Sequence, residues 1–433
     1  MKLSIIGAGY VGLVTGACFA ELGHDVIVMD IDEDRVKKLS RGIVPIYEPG
    51  LDRLIKKNMS EERLRFTTNL EESTRDAEFH FISVWTPTAE DGSADLTAVF
   101  AVAEDLGKML HKTKSKNPIV ITKSTVPVGT GEEARRLIKK SFAGDFSIAS
   151  NPEFLREGQA VADMMHPDRV VVGSDSAQAS QRVMSLYKDV GGEKIMTDLA
   201  TAEMIKYAAN AFLATKISFM NEIANVCDIL GADVDMVREG IGTDKRINKH
   251  FLYPGIGFGG SCLPKDARAL HKFAQDKGYD FKVLKSVMEV NDQQCERIIE
   301  KLEKHVKDFK GKDIYVLGLA FKSNTDDVRE SSAVDLIKRL QKKGAKVRAH
   351  DPEALITAQK VLEGDIAYHA QPLRGVEGAD AIIIATEWPE FRELPWGDIK
   401  GLMKNPLVID GRNLLDPTTM REHGFEYESI GRK

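Results

Sequence analysis

Hydrophobic and polar positions along the first part of the chain predict strands and helices in turn. Residues 3–6 read as a short apolar strand, VGLVTGACFAELG as a helix, and DVIVMD as a strand that ends at Asp30. Two further buried strands are predicted within residues 77–88 and 117–130, with helical stretches between them. This alternation predicts a mostly parallel, doubly wound sheet.

The middle of the chain departs from this alternation. Residues 198–230 form one helical pattern without a proline, far longer than the mean α-helix of about 11–12 residues. A glycine-rich loop, YPGIGFGGSCLPKD, occupies residues 253–266, and another helical pattern follows it. The middle part is therefore expected to be helical and to connect two α/β parts.

The last part repeats the strand–helix–strand order of the first. GKDIYVLGLAFK, VDLIKRLQKKG and AKVRAHDP follow one another, and Asp351 ends the second strand as Asp30 does. Residues 378–388 and 405–413 match the later strands of the first part. We therefore predict an α/β fold with two Rossmann-like doubly wound domains joined by a long central helix. The predicted domains are 1–197, 198–300 and 301–433.

Composition narrows the functional class. The 433 residues carry a formal net charge of −6 and an ordinary globular proportion of apolar residues, which argues against intrinsic disorder and against a nucleic-acid-binding protein. No apolar run is long enough for a membrane span, and the N-terminus reads as a strand and turn, not as a signal peptide. The cysteines and histidines show no metal-ligand spacing. We expect a cytoplasmic protein with no metal, nucleic-acid or membrane partner.

A GxGxxG string lies between the first strand and the first helix. Gly7 permits a tight turn, Gly9 lets a pyrophosphate approach the backbone, and Gly12 lets the helix pack against the sheet. Asp30, with a carboxylate for the ribose hydroxyls, favours NAD over NADP, and Arg35 is placed to flank the adenosine or touch a phosphate. The alternative is a glycine turn without a ligand. The GLAFKSN counterpart in the last part lacks the second and third glycines, so we do not expect it to bind a dinucleotide in the same way.

Cys262 is the candidate nucleophile. It lies among glycines in GFGGSCLPKD, where the thiol has space and nearby backbone amides. The alternative is a small buried cysteine in a tight turn. The other three cysteines lie in helical patterns and are predicted to be buried.

Two sets of polar residues have helical spacing. Glu203, Lys206 and Asn210 share one face of the long helix, either as a functional group or as a solvated stripe. Glu153 and Glu157 in NPEFLREG are four residues apart, which suits either paired carboxylates or the start of a surface helix.

Seven motifs occur in one order: GAGYVG with Asp30, STVPVGT, NPEFLREG, EMIKYAANAF, GFGGSCLPKD, TDDVRESS and DGRN. Together they resemble those of the nucleotide-sugar 6-dehydrogenases of the UDP-glucose/GDP-mannose dehydrogenase family, over nearly the whole chain. The resemblance implies an NAD-binding domain, a central helical dimerisation segment and a C-terminal nucleotide-sugar domain. It also implies oxidation of the C6 hydroxyl of UDP-glucose to UDP-glucuronate with two NAD and one water. Cys262 would carry a thiohemiacetal and then a thioester.

The resemblance assigns roles residue by residue. The implied catalytic residues are Cys262, Lys206, Asn210, Asp266, Glu153 and Thr125. The implied NAD contacts are Gly7, Gly9, Tyr10, Val11, Gly12, Asp30, Arg35, Thr86, Thr125, Glu157, Lys265 and Arg329. The implied substrate contacts are Phe154, Leu155, Lys206, Asn210, Arg246, Phe251, Leu252, Tyr253, Gly259, Lys322 and Arg412. Arg246 would reach the substrate of a neighbouring subunit, which implies a homodimer or a higher homo-oligomer.

Three other functions fit parts of the same pattern. A GDP-mannose or UDP-N-acetyl-hexosamine 6-dehydrogenase would use the same chemistry with a different sugar-nucleotide pocket. A β-hydroxyacid dehydrogenase shares the dinucleotide domain and the Lys/Asn helix, but it needs neither Cys262 nor a third domain. An inactive NAD-binding sensor would not need Cys262 or Lys206, both of which are present.

Overall fold

The computed structural model describes all 433 residues as two compact units. The N-terminal unit comprises residues 1–209 and the C-terminal unit residues 210–433. The predicted long helix is confirmed as one 32-residue α-helix, Leu199–Leu230, which contains the boundary between the two units. None of the helices has the length and apolar character required to cross a membrane.

The N-terminal unit is built on an eight-stranded sheet with the order β3-β2-β1-β4-β5-β6-β7-β8. Neighbouring strands are parallel except β6 and β7. All four residues of β4 and of β5 are buried, as expected for strands covered on both faces. The strands are β1 (Lys2–Ile6), β2 (Asp25–Met29), β3 (Leu64–Thr67), β4 (Phe79–Ile82), β5 (Ile119–Thr122), β6 (Ser147–Ser150), β7 (Arg169–Gly173) and β8 (Glu193–Thr197).

Helices cover both faces of this sheet and bury one apolar core on each. One core contains residues of α1 and α3, and the other contains residues of α5 and α6. The helices of the unit are α1 (Tyr10–Glu21), α2 (Glu33–Leu39), α3 (Leu51–Ser60), α4 (Leu70–Thr74), α5 (Thr97–Thr113), α6 (Thr130–Lys139), α7 (Ala160–Met165) and α8 (Ala177–Ser185). The long helix is α9.

The C-terminal unit has a six-stranded, entirely parallel sheet with the order β11-β10-β9-β12-β13-β14. The strands are β9 (Asp313–Leu317), β10 (Lys346–His350), β11 (Ile366–Tyr368), β12 (Ala381–Ile384), β13 (Leu407–Asp410) and β14 (Glu426–Ser429). The helices are α10 (Val234–Gly242), α11 (Leu263–Asp276), α12 (Lys282–His305), α13 (Ser332–Lys342), α14 (Leu355–Ala358), α15 (Pro389–Arg392), α16 (Trp396–Leu402) and α17 (Pro417–Glu422), with a 3₁₀ turn at Pro372–Gly375.

The repeat predicted from the sequence is confirmed. The first six strands of each sheet have the same order, in which the chain reverses direction across the sheet after the third strand. Polar side chains at the carboxyl ends of such strands lie at the topological switch point, where α/β proteins bind ligands. The fold class is therefore α/β with two Rossmann-like domains joined by a long helix, as predicted.

The hydrophobic pattern did not predict four strands of the first sheet: β3, β6, β7 and β8. β6 has the sequence SIAS, which contains only one large apolar residue. β8 is an edge strand, and four of its five residues are exposed. An edge strand with one solvated side does not need the apolar run that marks a central strand.

Candidate active site

The glycine-rich loop joins β1 to α1 as predicted. Gly7 has a φ of +107°, a conformation that other residues rarely adopt, and Gly9 is the N-cap of α1. A Cβ on Gly12 would lie 1.8 Å from the carbonyl oxygen of Gly7, so only glycine fits there. A Cβ on Gly9 would meet no atom within 4 Å, which leaves open space at the helix N-terminus. These features fit the pyrophosphate of a dinucleotide.

Asp30 lies at the end of β2, beside this loop. Its carboxylate accepts hydrogen bonds from the backbone N–H of Ala8 at 2.6 Å and of Asp32 at 3.0 Å. The guanidinium of Arg35 approaches Asp30 at 3.3 Å and Asp32 at 3.7 Å. The carboxylate thus holds the glycine loop while one further acceptor position stays available to a ribose hydroxyl.

The corresponding aspartate of the C-terminal unit is fully buried. Asp351 accepts hydrogen bonds from the backbone N–H of Leu319 at 2.7 Å and of Ala320 at 3.0 Å, and from the indole of Trp388 at 3.1 Å. Backbone amides at 353 and 354 occupy its other oxygen. No acceptor position is left for a ribose, in agreement with the prediction that this domain does not bind a dinucleotide in the same way.

Two loops at the carboxyl ends of β4 and β5 are joined by hydrogen bonds. The hydroxyl of Thr86 donates to the carbonyl of Thr125 at 3.0 Å, and the hydroxyl of Ser124 donates to the carbonyl of Val84 at 2.7 Å. Thr86 is buried, whereas Thr125 is half-buried. Of the two candidate residues, Thr125 therefore has the accessible side chain.

Glu153 and Lys206 form a buried ion pair. The Lys206 ammonium lies 2.9 Å from one Glu153 carboxylate oxygen, and the other oxygen accepts the backbone N–H of Leu155 at 2.5 Å. The Lys206 ammonium also lies over the Phe154 ring, 5.4 Å from its centroid, and the Arg169 guanidinium is 3.9 Å from the same ring. The NPEFLREG motif begins as an extended loop here, not as a helix, and Glu153 is buried and not a surface residue.

Glu157 follows in a half-exposed turn. Its surroundings include Tyr10, whose hydroxyl hydrogen-bonds to Glu48. Glu48 is buried and accepts the backbone N–H of Gly158 at 2.6 Å and of Ala160 at 2.8 Å. Glu48 therefore connects the dinucleotide loop, through Tyr10, to the segment that contains Glu157.

Glu203 is buried and caps α6. Its carboxylate accepts the backbone N–H of Gly129 at 2.7 Å and of Gly131 at 2.8 Å, which satisfies the free amides of the helix start. Burial raises its pKa from the ordinary value to about 7. The polar face of α9 is thus not a solvated stripe, because Glu203 is buried and fixes the loop that follows Thr125.

Cys262 is the only cysteine of the chain that is not buried. It is the N-cap of α11, a 14-residue helix, and the Ser261 hydroxyl lies 3.6 Å from its sulfur. A helix N-terminus stabilises a thiolate. Burial raises the thiol pKa of Cys18 and Cys295 to about 12 and also raises that of Cys227. Their predicted burial is confirmed, and Cys262 is the cysteine suited to act as a nucleophile.

Asp266 lies one helical turn after Cys262. Its two oxygens accept hydrogen bonds from the Asn210 amide at 2.6 Å and from the Lys265 ammonium at 2.6 Å. Asp266 and Lys265 are both buried. This arrangement orients the amide of Asn210.

Close backbone packing shapes the cysteine loop. A Cβ on Gly259 would lie 2.2 Å from the carbonyl oxygen of Glu330, and one on Gly260 would lie 2.6 Å from the Phe321 ring. Asn291 on α12 brackets Phe258, accepting its N–H at 2.8 Å and donating to its carbonyl at 3.1 Å. Asn291 could not be identified from the sequence, because nothing in a long polar helix marks which amide faces a loop.

Arg412 of the DGRN motif is mostly buried and binds three backbone carbonyls. Its guanidinium donates to Ala385 at 2.8 Å, Gly257 at 3.2 Å and Phe321 at 3.3 Å. Its Nε also lies 3.3 Å from Glu387. Arg412 therefore joins the carboxyl ends of two strands of the second sheet to the cysteine loop.

The remaining predicted substrate residues differ in exposure. Leu252 is buried, and Phe251 has a φ of +62°. Tyr253 is 51% exposed, with the Arg238 guanidinium 4.5 Å from its ring centroid. The Arg246 side chain is 88% exposed, and its guanidinium lies 2.6 Å from the Asp244 carboxylate.

Two further candidate side chains lie after β9. The Lys322 ammonium is 5.5 Å from the centroid of the Phe321 ring. Arg329 is exposed and pairs with Asp327 at 2.6 Å, while its backbone carbonyl accepts the N–H of Gly260. The C-terminal unit thus brings Arg329, Arg412 and the cysteine loop together through backbone contacts.

Comparison with known proteins agrees with this geometry along the whole chain. Three models of the UDP-glucose/GDP-mannose dehydrogenase family match: the NAD binding domain over residues 1–191, the central domain over 200–293 and the UDP binding domain over 315–417. The chain is 47% identical to the UDP-glucose 6-dehydrogenase TuaD of Bacillus subtilis, covering 100% of this chain and 93% of that protein.

Two more relatives match over nearly the full length of both chains. A UDP-glucose 6-dehydrogenase of Pseudomonas aeruginosa is 47% identical over 100% of this chain and 98% of its own length. The solved structure of a UDP-glucose dehydrogenase from Pyrobaculum islandicum superposes with a TM-score of 0.94 at 39% identity, covering 100% of this chain and 98% of the other. NAD is therefore the cofactor of the N-terminal domain, and the chain belongs to the UDP-glucose/GDP-mannose dehydrogenase family.

Proposed function

We propose that the protein oxidises the C6 hydroxyl of UDP-glucose to the carboxylate of UDP-glucuronate. The reaction consumes two NAD and one water and releases two NADH and three protons. The observation that carries this proposal is Cys262, the one accessible cysteine, at the N-terminus of α11 and one turn before the Asn210–Asp266 hydrogen bond. A β-hydroxyacid dehydrogenase and an inactive sensor have no use for this arrangement.

The covalent step divides a four-electron oxidation into two two-electron oxidations. Oxidation of the alcohol gives an aldehyde at C6. The Cys262 thiolate adds to the aldehyde carbon, and the oxygen takes a proton to give a thiohemiacetal. Loss of a second hydride from carbon and of the proton from the hydroxyl gives a thioester, and water then breaks the carbon–sulfur bond to release the carboxylate and the thiol.

Lys206 and Asn210 stabilise negative charge on the C6 oxygen. The Lys206 ammonium is buried, so its charge acts with little screening by water. The Asn210 amide is oriented by Asp266, which also assists proton transfer. Glu153 acts as the base for the hydrolytic water, which Thr125 helps to order.

NAD, when bound, accepts the hydride in each oxidation. Gly7, Gly9 and Gly12 accommodate its pyrophosphate, together with Tyr10 and Val11 at the start of α1. Asp30 binds the adenosine ribose, flanked by Arg35. The other proposed contacts to the cofactor are Thr86, Thr125, Glu157, Lys265 and Arg329.

The nucleotide sugar is bound chiefly by the C-terminal unit. Its proposed contacts are Phe154, Leu155, Lys206, Asn210, Arg246, Phe251, Leu252, Tyr253, Gly259, Lys322 and Arg412. The names of the relatives at 47% identity support UDP-glucose over GDP-mannose and UDP-N-acetyl-hexosamines as the substrate. The functional domains we propose remain 1–197 for NAD, 198–300 for dimerisation and the cysteine loop, and 301–433 for the nucleotide sugar.

A homodimer, or a higher oligomer built from it, is the proposed assembly. On α9, Phe212, Phe219 and Val226 recur every seven residues and are 65%, 52% and 47% exposed. Ile229 and Leu230 extend the stripe at 82% and 75% exposure. Large apolar side chains aligned on one helix face are typical of an interface between subunits. The exposed Arg246 supports its role at the active site of the partner subunit. We also propose a cytoplasmic location, which the four free cysteines support.

The test is the amount of NADH formed per nucleotide sugar consumed, with UDP-glucose, GDP-mannose and UDP-N-acetylglucosamine. We expect two NADH per UDP-glucose and loss of turnover in the Cys262→Ala variant, with Cys227→Ala as the matched control. If two NADH form only with another of these sugars, the substrate assignment would change and the mechanism would stand. One NADH that persists in Cys262→Ala would overturn the thioester mechanism.

A further inference from the structure

Lys123 is a buried lysine to which the proposed mechanism gives no role. It follows β5 directly, and the residue is 3% exposed. Its ammonium donates to the Asn151 side-chain oxygen at 3.0 Å and to the Tyr187 hydroxyl at 3.2 Å. The Tyr187 hydroxyl donates to the same Asn151 oxygen at 2.5 Å. Taking a charge out of water costs several kcal/mol, so a lysine in this position calls for a compensating partner.

Neither direct partner of Lys123 carries an opposite charge. Asn151 is neutral, and burial raises the pKa of Tyr187 so that its hydroxyl stays protonated. The carboxylate whose charge acts on Lys123 is that of Glu153, two residues after Asn151, and the charge of the Lys206 ammonium acts in the opposite direction. The Lys194 ammonium also lies 5.8 Å from the Tyr187 ring centroid. Two buried lysines, Lys123 and Lys206, therefore act on the carboxylate of Glu153.

Hydrogen bonds of Asn151 connect Lys123 to the loop that contains Glu153. Its side-chain amide donates to the carbonyl of Val171 on β7 at 2.8 Å, and its backbone N–H donates to the carbonyl of Thr122 at 3.0 Å. These bonds anchor the start of the NPEFLREG loop to β5 and β7. Glu153 then has its carboxylate set by Lys206 and by the N–H of Leu155.

We propose that Lys123 is a positioning residue for the hydrolytic step, whose ammonium group fixes Asn151 and, by its positive charge, keeps Glu153 in the carboxylate form. This role rests on the proposed function of Glu153 as the base that activates water. A base must be unprotonated to accept a proton. A second buried cation close to Glu153 favours the carboxylate, as any opposite charge within the interior does.

The sign of the pH dependence follows from the charges. Burial and Lys206 lower the pKa of Lys123 to about 8, while Glu153 acts in the opposite direction. Lys123 is therefore charged below pH 8 and supports Glu153 there. Above pH 8 Lys123 becomes neutral, and its charge no longer acts on Glu153. Removal of the charge is expected to matter at low pH and to have no effect at high pH.

The experiment compares the pH dependence of thioester hydrolysis in the full-length protein and in Lys123→Met, with UDP-glucose and NAD. We expect the acid limb of the Lys123→Met rate profile to lie about one pH unit above that of the unaltered protein. At a pH below both acid limbs, hydrolysis is then about tenfold slower in the variant, with KM for UDP-glucose unchanged. The thioester then accumulates on Cys262 at low pH and is detected by mass spectrometry after an acid quench. An unshifted acid limb would overturn the proposal.

Two variants separate charge from packing. Tyr187→Phe removes one donor to Asn151 without changing charge, and we expect its acid limb to coincide with that of the unaltered protein. An equal shift in Tyr187→Phe would overturn the role of charge. Lys123→Gln, which keeps a donor for Asn151 but loses the charge, takes the place of Lys123→Met if the latter does not fold.

Glu153→Gln distinguishes failure of this inference from failure of the proposed function. We expect it to accumulate the thioester at every pH. Accumulation in Glu153→Gln but not in Lys123→Met would reject the role of Lys123 and leave the mechanism in place. No accumulation in either variant would reject Glu153 as the hydrolytic base.

Discussion

Lys206 and Glu153 form an ion pair of 2.9 Å in which each side chain is only about 5% exposed. The pair joins the start of α9 to the loop that follows β6. Each charge compensates the other in the interior. Removal of one charge is therefore expected to cost more stability than removal of both together.

We predict that Lys206→Met lowers the free energy of unfolding at pH 7 by about 3 to 5 kcal/mol, because it leaves the buried Glu153 carboxylate without its direct ion-pair partner. The double variant Glu153→Gln, Lys206→Met is expected to recover most of this loss. Urea denaturation monitored by circular dichroism measures both. Lys57→Met breaks an exposed pair with Glu21 and serves as the control, with an expected change of about 1 kcal/mol or less. An equal loss in the single and double variants would contradict the pairing.

The raised pKa of Glu203 predicts that the stability of the protein depends on pH. Its folded pKa of about 7 is above the ordinary value, so the folded state binds a proton between pH 4.5 and 7 that the unfolded state has released. Stability is therefore expected to fall by roughly 3 kcal/mol as the pH rises through this window, in addition to the contributions of other groups. Glu203→Gln should flatten the stability profile there. Parallel profiles for the two proteins would contradict the assignment.

Selective alkylation tests the accessibility of Cys262. We expect iodoacetamide at pH 7.5 to modify Cys262 in the folded protein and to leave Cys18, Cys227 and Cys295 unmodified, because burial keeps their thiols protonated. Peptide mass spectrometry measures the site of modification. After denaturation all four cysteines should react. Modification of Cys295 at the rate of Cys262 would contradict the contrast in their surroundings.

The second and third glycines of the dinucleotide loop, Gly9 and Gly12, are expected to respond differently to substitution by alanine. In Gly9→Ala the new methyl enters open space, so the fold is kept while NAD binding weakens because the pyrophosphate is obstructed. In Gly12→Ala the methyl collides with the carbonyl of Gly7, so stability falls as well. Thermal unfolding and NAD titration by calorimetry separate the two effects. Normal NAD affinity in Gly9→Ala would contradict the placement of the pyrophosphate.

The proposed dimer predicts a change of mass. Phe219→Asp places a charge in the middle of the apolar stripe on α9, and we expect the particle to fall from twice 47.9 kDa to 47.9 kDa in light scattering. Ile356→Asp, at a residue that is 70% exposed on α14, is the control and should leave the mass unchanged. An unaltered mass in Phe219→Asp would move the interface away from α9.

Features that depend on neighbours in the sequence could be predicted from the sequence alone. The glycine loop, Asp30 at the end of β2, the 32-residue helix and the repeated strand order all arise from local periodicity and turn chemistry. The accessible Cys262 and the three buried cysteines also follow from local context.

The tertiary structure alone decided which polar side chains meet. Glu203 has the same helical spacing as Lys206 and Asn210, yet it caps α6 through residues more than 70 positions earlier in the chain. Lys123 directly precedes the STVPVGT segment and has no distinctive sequence context, yet in the fold Tyr187, 64 positions away, contacts its ammonium. Periodicity determines which face of a helix or strand is apolar. The partner of a buried charge depends on contacts between distant parts of the chain, and burial, which sets the cost of leaving that charge unpaired, exists only in the folded protein.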